Sequence, residues 1–230
     1  MSLLASLVRP TFARLFRSHR GRLAHKWPHY FPLYDRHFAR FRGKPCTFVE
    51  IGCGEGGSLQ LWKRFLGRRA KIVGLDIRPE CREFAEEQIH IEIGDQSDTA
   101  FLDEVLNRHG VPDVILDDGS HLMKDQKASF LHLYPQMHPE GVYFVEDLHT
   151  SYWEEFGGGL QNPETFIELA KEFLDHLNAR HTRGALEPTN FSAQTHSLHS
   201  YDSVCVFERK PAEETASCFA GGTGEEQPRF

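Results

Sequence analysis

The sequence TFVEIGCGEGGS, residues 47–58, determines the fold that we predict for this chain. Its first half is rich in β-branched and aromatic residues, which indicates a buried strand. Its second half places Gly52, Gly54 and Gly57 in the spacing GxGxxG, which lets the backbone turn tightly and approach a ligand closely. A strand that enters such a loop and is followed by a helix is typical of α/β domains that bind nucleotides.

Predicted strands and helices alternate along the rest of the chain. Further apolar runs that predict strands cover residues 71–77, 90–95, 113–119 and 141–147. Helical patterns cover residues 58–66, 80–87, 99–108, 124–134 and 163–179. This alternation predicts a parallel sheet with helices on both faces. Two extended segments within residues 195–210 predict an antiparallel hairpin at the edge of that sheet.

Composition and charge indicate a globular protein with an uneven charge distribution. The 230 residues are 40% hydrophobic and 26% charged, which fits one domain. Residues 1–44 contain ten Lys or Arg and one acid, although the net charge is -7. We therefore predict a basic helical extension over 1–44, the main domain over 45–210 and a disordered tail over 211–230. Motifs that read bases are missing, so we expect no nucleic-acid partner.

Cysteine usage and hydropathy predict a cytoplasmic location. The five cysteines form no CxxC pair, which favours a reducing compartment. The apolar runs are shorter than the roughly 20 residues of a membrane span, so stable membrane insertion is not expected. Within residues 29–41, aromatic residues recur every three to four positions (Tyr30, Tyr34, Phe38 and Phe41). This spacing predicts a buried helical face, which could also cover a cofactor or a neighbouring subunit.

Acidic residues follow two of the predicted strands. Asp118 belongs to DDGSH at 117–121, and Glu146 and Asp147 belong to VED at 145–147. Because parallel strands end at the same edge of a sheet, these three carboxylates are expected to converge and to bind a cation such as Mg²⁺. His121 is the candidate general base beside that cation. Turn and cap roles for Asp117, Asp118 and Ser120 are the alternative.

Two cofactor classes fit the glycine loop. Asp76 lies about 20 residues after the loop, where an acid binds ribose hydroxyls in dinucleotide-binding domains. S-adenosylmethionine is favoured over a nicotinamide because Glu50 precedes the loop, where it can meet the ligand's ammonium, and Asp95 suits the adenine amine. The Tyr-x-x-x-Lys pair of many sugar-nucleotide oxidoreductases is also missing.

Several motifs together resemble a known family. They are KWPHYFPLYDRHFARFRGKP, EIGCGEGGSLQLW, GLDI, GDQSD, DDGSH, YFVEDLHTSYW and SLHSYDSVCVFERK. Over about residues 25–210 the chain resembles the metal-dependent sugar O-methyltransferases of macrolide biosynthesis, of the mycinamicin and macrocin type, and more distantly the cephalosporin hydroxylase family. The resemblance implies a Rossmann-like class I methyltransferase fold, with a mostly parallel seven-stranded sheet and an antiparallel last strand.

The resemblance also implies roles for individual residues. Magnesium is assigned to Asp118, Glu146 and Asp147, and the base to His121. S-adenosylmethionine is assigned to the following residues: Glu50, Gly52, Gly54, Ser58, Asp76, Asp95, Gln96 and Asp117. A homo-oligomer is implied as well. The chain departs from the macrolide enzymes in having about forty basic residues in place of their long N-terminal domain, and a shorter glycine loop, which leaves the acceptor open.

These observations together predict an enzyme. The expected reaction is Mg²⁺-dependent transfer of a methyl group from S-adenosylmethionine to a sugar hydroxyl of a glycoside, in a natural-product or surface-glycan pathway. Two alternatives remain open at this point: an NAD(P)-dependent oxidoreductase that uses the same loop, and a non-catalytic binding protein with the methyltransferase fold.

Overall fold

A computed structural model describes residues 9–211. Within them, a mixed sheet contains β1 (Cys46–Ile51), β2 (Ala70–Asp76), β3 (Ile89–Ile93), β4 (Val114–Asp117), β5 (Val142–Val145), β6 (Thr195–Tyr201) and β7 (Val204–Arg209). The strand order is β3-β2-β1-β4-β5-β7-β6, and β7 runs antiparallel to both neighbours. The predicted α/β fold, with its parallel strands, edge hairpin and antiparallel last strand, is confirmed.

The α-helices of the described residues lie before and between the strands. They are α1 (Phe12–Arg17), α2 (Phe31–Phe38), α3 (Gly57–Leu66), α4 (Thr99–His109), α5 (Met123–Leu133), α6 (Phe166–Leu177) and α7 (Asn190–Gln194). The α-helix predicted over residues 80–87 is wrong, because Pro79–Phe84 form a 3₁₀ helix instead. Glu86 then pairs with Ile89 in a β-bridge, so the chain turns directly into β3 and leaves no room for a longer helix.

The described N-terminal residues share one core with the sheet. The aromatic stripe of residues 29–41 is buried, as predicted. Phe12 and Tyr34 are fully buried, and their ring centroids lie 4.5 and 5.0 Å from that of Trp62 in α3. The boundary after residue 44 stays a prediction. The predicted tail lies outside the described residues, apart from its first position.

Polar contacts also hold this N-terminal segment in place. Asp35 in α2 accepts a hydrogen bond from the backbone N–H of Phe12 at 3.0 Å. His37, also in α2, lies 2.7 Å from the Glu208 carboxylate of β7. Helix α2 therefore contacts both α1 and strand β7. Within residues 9–211, no helix has the length and apolar character needed to cross a membrane.

We expect Phe12→Ala to lower the free energy of unfolding of the whole domain by about 3–5 kcal/mol, because it leaves a cavity among aromatic rings. Leu160→Ala is the control, since Leu160 is 79% exposed, and it should change stability by less than about 0.5 kcal/mol. Urea denaturation followed by circular dichroism measures both variants. Equal stability of the two variants would contradict a shared core.

Candidate active site

The ends of β1, β4 and β5 bring the predicted acidic residues together. The register pairs Ile51 with Asp117 and Asp117 with Val145, so the residues that follow emerge at the same edge. His121 and Asp147 both adopt left-handed backbone conformations, with φ of +58° and +55°. Such conformations are uncommon for residues other than glycine, and they are often found at functional sites. The Thr150 hydroxyl contacts the carbonyl oxygens of both residues, which links the two turns.

Asp118, His121 and Asp147 form a cluster of possible metal ligands. One ligand atom from each residue lies within 4.8 Å of the others. The Nε2 atom of His121 lies 3.8 Å from Asp118 Oδ1 and 3.8 Å from Asp147 Oδ2. All three side chains are about one-fifth exposed, so a small ligand can reach them. Two of the three predicted Mg²⁺ ligands, Asp118 and Asp147, therefore lie together with the predicted base, whereas Glu146 is not part of this cluster.

A buried lysine contacts the acidic cluster from the side of the N-terminal segment. The Lys26 Nζ atom lies 2.5 Å from Asp118 Oδ2, 3.1 Å from Glu146 Oε2 and 3.1 Å from Glu50 Oε1. Its side chain is 2% exposed. Burial by itself lowers the pKa of Lys26, but the charges of Asp118, Glu146 and Glu50 outweigh that effect and raise the pKa well above its ordinary value. The lysine is therefore charged.

Two tyrosines donate hydrogen bonds to the same cluster. The Tyr34 hydroxyl donates to Glu146 Oε1, and the Tyr30 hydroxyl donates to Asp147 Oδ1 at 2.7 Å. Burial raises the pKa of both phenols, so both keep the proton that they donate. One carboxylate oxygen of Glu146 thus accepts a hydrogen bond from Tyr34, and the other accepts one from Lys26. Burial raises the pKa of Glu146, and the Lys26 charge opposes this rise.

The sequence did not reveal these three contacts. Tyr30 and Tyr34 were expected to be buried, but their spacing does not show where the hydroxyl groups point. Lys26 is one of ten basic residues before position 45, and no local pattern distinguishes it from the other nine. The only available signal was its position directly before the aromatic stripe.

The glycine loop allows β1 and β4 to approach each other closely. Gly52, Gly54 and Gly56 have positive φ angles of +83°, +54° and +73°. A Cβ atom on Gly52 would lie 2.0 Å from the backbone oxygen of Asp118. A Cβ on Gly54 would meet none of the described atoms within 4 Å, and the Gly54 N–H donates to Asp76 Oδ2 at 3.0 Å. The loop therefore combines close packing at Gly52 with open space at Gly54.

Two adjoining cavities share Gly52, Gly54 and Asp118. The first has a volume of about 520 Å³, within the range of small-molecule sites. Its lining includes Asp76, Asp95, Gln96 and Ser120. The second has a volume of about 270 Å³ and includes Lys26, Ser58, His121, Glu146 and Asp147. An open cradle at Gly54 and acids at strand ends fit a nucleoside-containing cofactor. Most of the predicted cofactor residues line one of these cavities.

Glu50 and Asp117, also predicted to bind the cofactor, do not line either cavity. Both are fully buried. Glu50 accepts a hydrogen bond from Ser58 at 2.6 Å, and Asp117 accepts from Gln96 at 3.2 Å. Burial raises the pKa of Asp117, and hydrogen bonds from Ser129 and Tyr143 oppose this rise. The structure places both acids behind residues that line the cavities, and direct contact with a cofactor stays a prediction.

A third cavity, of about 460 Å³, begins directly after Asp147. Leu148 and His149 lie at its start, and Ile167, Leu174 and Leu198 contribute apolar surface. The His149 ring lies between those of Trp27 and Trp153, with centroid distances of 6.2 and 4.7 Å. Trp27 belongs to the lining of the second cavity. A cavity with both apolar and polar lining residues therefore lies near the acidic cluster.

Comparisons with known proteins agree with this arrangement. No family model matches the sequence. The chain is 36% identical over 191 residues to the 8-demethyl-8-alpha-L-rhamnosyl tetracenomycin-C 2'-O-methyltransferase of Streptomyces olivaceus. This match covers 79% of this chain and 50% of the relative. It is 37% identical over 203 residues to the demethylmacrocin O-methyltransferase of Streptomyces fradiae, with coverages of 81% and 51%. The chain is a homologue of sugar O-methyltransferases.

The solved structures give the same result for the fold. The methyltransferase MycE of the mycinamycin pathway, solved with Mg, SAH and mycinamycin VI, matches with a TM-score of 0.81 and 32% identity. The match covers 90% of this chain and 55% of MycE. The chain therefore has the class I methyltransferase fold, and it spans about half the length of the relatives that it matches. Neither the oxidoreductase alternative nor the non-catalytic one is supported by these comparisons.

The two loop glycines allow a matched test of the close approach. We expect Gly52→Ala to lower the free energy of unfolding by at least about 2 kcal/mol more than Gly54→Ala. Both replacements strain a left-handed residue, but only the first also forces a Cβ against the Asp118 backbone. Chemical denaturation gives the two values. Losses of the same size would show that the clash at Gly52 is relieved without cost.

Proposed function

We propose that this chain catalyses the Mg²⁺-dependent transfer of a methyl group from S-adenosylmethionine to a sugar hydroxyl of a glycoside. The observation that carries the proposal is the meeting of two cavities at Asp118, beside His121 and Asp147. One cavity suits a nucleoside-containing methyl donor, and the other contains the residues suited to activating a hydroxyl. The names of the homologues support the same reaction class.

The proposed donor site uses the residues that line the first cavity and its boundary with the second. Asp76 would bind the ribose hydroxyls, Asp95 and Gln96 the adenine, and Gly52, Gly54 and Ser58 the remaining part. Glu50 and Asp117 would act from behind, by holding Ser58 and Gln96 in place. When bound, S-adenosylmethionine supplies an electrophilic methyl group. The protein would hold an acceptor oxygen in line with that methyl group.

The proposed metal ligands are Asp118, Glu146 and Asp147. Mg²⁺ binds through few carboxylates and keeps open positions for substrate oxygens. When bound, the cation stabilises the negative charge that develops on a hydroxyl oxygen. Asp118 and Asp147 each direct one oxygen toward His121, at 3.8 Å, and that side is open to the second cavity. Vicinal hydroxyls of a sugar could occupy the open positions there.

His121 is the proposed general base. Its Nε2 atom faces the two aspartates, whose negative charges stabilise the imidazolium that forms when a proton is accepted. Its Nδ1 atom is buried and has no hydrogen-bond partner among residues 9–211. The left-handed backbone of His121, with φ of +58°, and the hydrogen bond from the Thr150 hydroxyl to its carbonyl oxygen hold the His121 backbone in place.

The proposed acceptor is a glycoside with an apolar aglycone. The third cavity includes Leu148, which directly follows Asp147, and Ile167, Leu174 and Leu198 give it apolar surface beside polar residues such as Ser200 and Asp202. A sugar at the acidic cluster would place its aglycone in that cavity. A cytoplasmic location, in keeping with the unpaired buried cysteines Cys46, Cys53, Cys81 and Cys205, and a homo-oligomer are further parts of the proposal.

Ligand-induced stabilisation tests the donor. We expect S-adenosylmethionine or S-adenosylhomocysteine to raise the melting temperature, since a ligand at 100 times its Kd stabilises by about 2.7 kcal/mol. NAD and NADP at the same concentration should produce no shift. Differential scanning fluorimetry measures both. Stabilisation by a nicotinamide and not by the sulfonium compounds would favour the oxidoreductase instead.

Turnover of variants tests the base and the metal. We expect His121→Ala to lower kcat by about 10²–10⁴-fold because proton removal loses its acceptor, while the S-adenosylmethionine-induced melting shift is kept. His138→Ala is the matched control, since that exposed histidine lies away from the cluster. EDTA should abolish turnover in the wild type, and Mg²⁺ should restore it. Full turnover of His121→Ala with Mg²⁺ present would disprove the base assignment.

A further inference from the structure

The Lys26 ammonium and the proposed metal contact the same carboxylates. Nζ lies within 3.1 Å of oxygens from both Asp118 and Glu146, two of the three proposed metal ligands. We propose that Lys26 is a positioning residue of the catalytic centre that competes with the divalent cation for Asp118 and Glu146 and so sets the affinity of the metal site. This inference rests on the function proposed above.

The occupancy of each oxygen shows why the two cations compete. Glu146 Oε1 accepts from Tyr34 and Glu146 Oε2 contacts Lys26. Asp118 Oδ2 contacts Lys26, whereas Asp118 Oδ1 faces His121. A divalent cation that takes Glu146 as a ligand would therefore share an oxygen with one of these donors or displace it, and in either case the Lys26 ammonium would lie close to the cation. Like charges repel strongly in a site that is shielded from water.

Glu50 offers the ammonium an alternative partner. Its Oε1 atom lies 3.1 Å from Nζ, while its Oε2 atom accepts a hydrogen bond from Ser58. Glu50 is fully buried and does not line either cavity, so a metal ion in the second cavity leaves it available. Lys26 can remain paired with Glu50 while Asp118 and Glu146 bind the metal. The buried charge then stays compensated.

The formal charges agree with this division. When all are ionised, Glu50, Asp118, Glu146 and Asp147 carry four formal negative charges around one Lys26 ammonium. A divalent cation on the last three acids and the ammonium on Glu50 leave a small net charge. The ammonium thus keeps the carboxylates together without neutralising all of them, and its repulsion would weaken metal binding.

Binding of Mn²⁺, followed by electron paramagnetic resonance, tests the competition directly. We expect Lys26→Met to bind Mn²⁺ at least about tenfold more tightly than the wild type, because the competing charge is gone while an unbranched side chain of nearly the same length is kept. Lys26→Arg, which keeps the charge, should bind Mn²⁺ no more tightly than the wild type. Lys127→Met is the matched control, since it removes a lysine whose partner is the exposed Glu164, and it should bind as the wild type does.

Turnover gives a second measure that a purely structural lysine would not change in this way. We expect Lys26→Met to need less Mg²⁺ for half-maximal activity and yet to have a lower kcat, because Glu146 and Asp118 lose the group that orients them. Lys26→Arg should recover part of the kcat. A parallel loss of metal affinity and kcat would mean that Lys26 only supports the fold, and it would overturn the competition.

Asp147→Asn separates this inference from the proposed function. It should weaken Mn²⁺ binding at least about tenfold in both the wild-type and the Lys26→Met backgrounds, since it removes a ligand that does not contact Lys26. If Asp147→Asn weakens binding while Lys26→Met binds no more tightly than wild type, the metal site stands and the competition is wrong. If Asp147→Asn has no effect, the metal site is wrong and the competition falls with it.

A second variant covers the case in which Lys26→Met fails to fold. Lys26→Met combined with Glu50→Gln removes one charge of each sign, so the buried cluster keeps its overall charge. The double variant should also bind Mn²⁺ at least about tenfold more tightly than Glu50→Gln alone. Circular dichroism and thermal melting confirm that each variant is folded. Equal affinities of the double variant and Glu50→Gln would contradict the competition.

Discussion

A buried ammonium holds the N-terminal segment and the ends of three strands together. Lys26 precedes the sheet, and its partners lie in β1, directly after β4 and directly after β5. A charge buried without partners is very costly, and removing one partner of a buried pair leaves another uncompensated. The docking of the N-terminal segment and the placement of the acidic residues therefore depend on each other. Neither can be changed without affecting the other.

The strand register decides which acid has which environment. Adjacent residues of a strand point to opposite sides, so neighbouring acids at a strand end experience different surroundings. Asp117 is fully buried and holds Gln96 and Ser129, whereas Asp118 is partly exposed at the edge of the second cavity. Glu146 is buried, and the left-handed turn at Asp147 directs the next carboxylate toward His121. Two short acidic motifs thus supply both structural and exposed carboxylates.

Much of the fold and part of the site could be predicted from the sequence, for a physical reason. Apolar runs that end in Gly or Asp give the strands, and parallel strands deliver their ends to one edge, so the convergence of Asp118 and Asp147 follows from local patterns. The segment 80–87 was predicted wrongly because a helical pattern competed with Pro79 and an immediate return to the sheet. The contacts of Lys26, Tyr30 and Tyr34 depend on where a distant, partly irregular segment docks, and no local periodicity encodes that.

The choice of donors around the acids has a consequence for the charge of the site. Tyr30 and Tyr34 satisfy carboxylate oxygens with neutral hydroxyls, so they add hydrogen bonds without cancelling charge. An arginine in either position would instead neutralise one of the acids. Lys26 supplies a charge sufficient for one of the four carboxylates that surround the site. The remaining negative charge lies on Asp118, Glu146 and Asp147, and Glu146 is the residue whose oxygen atoms both the fold and the proposed metal ion would use.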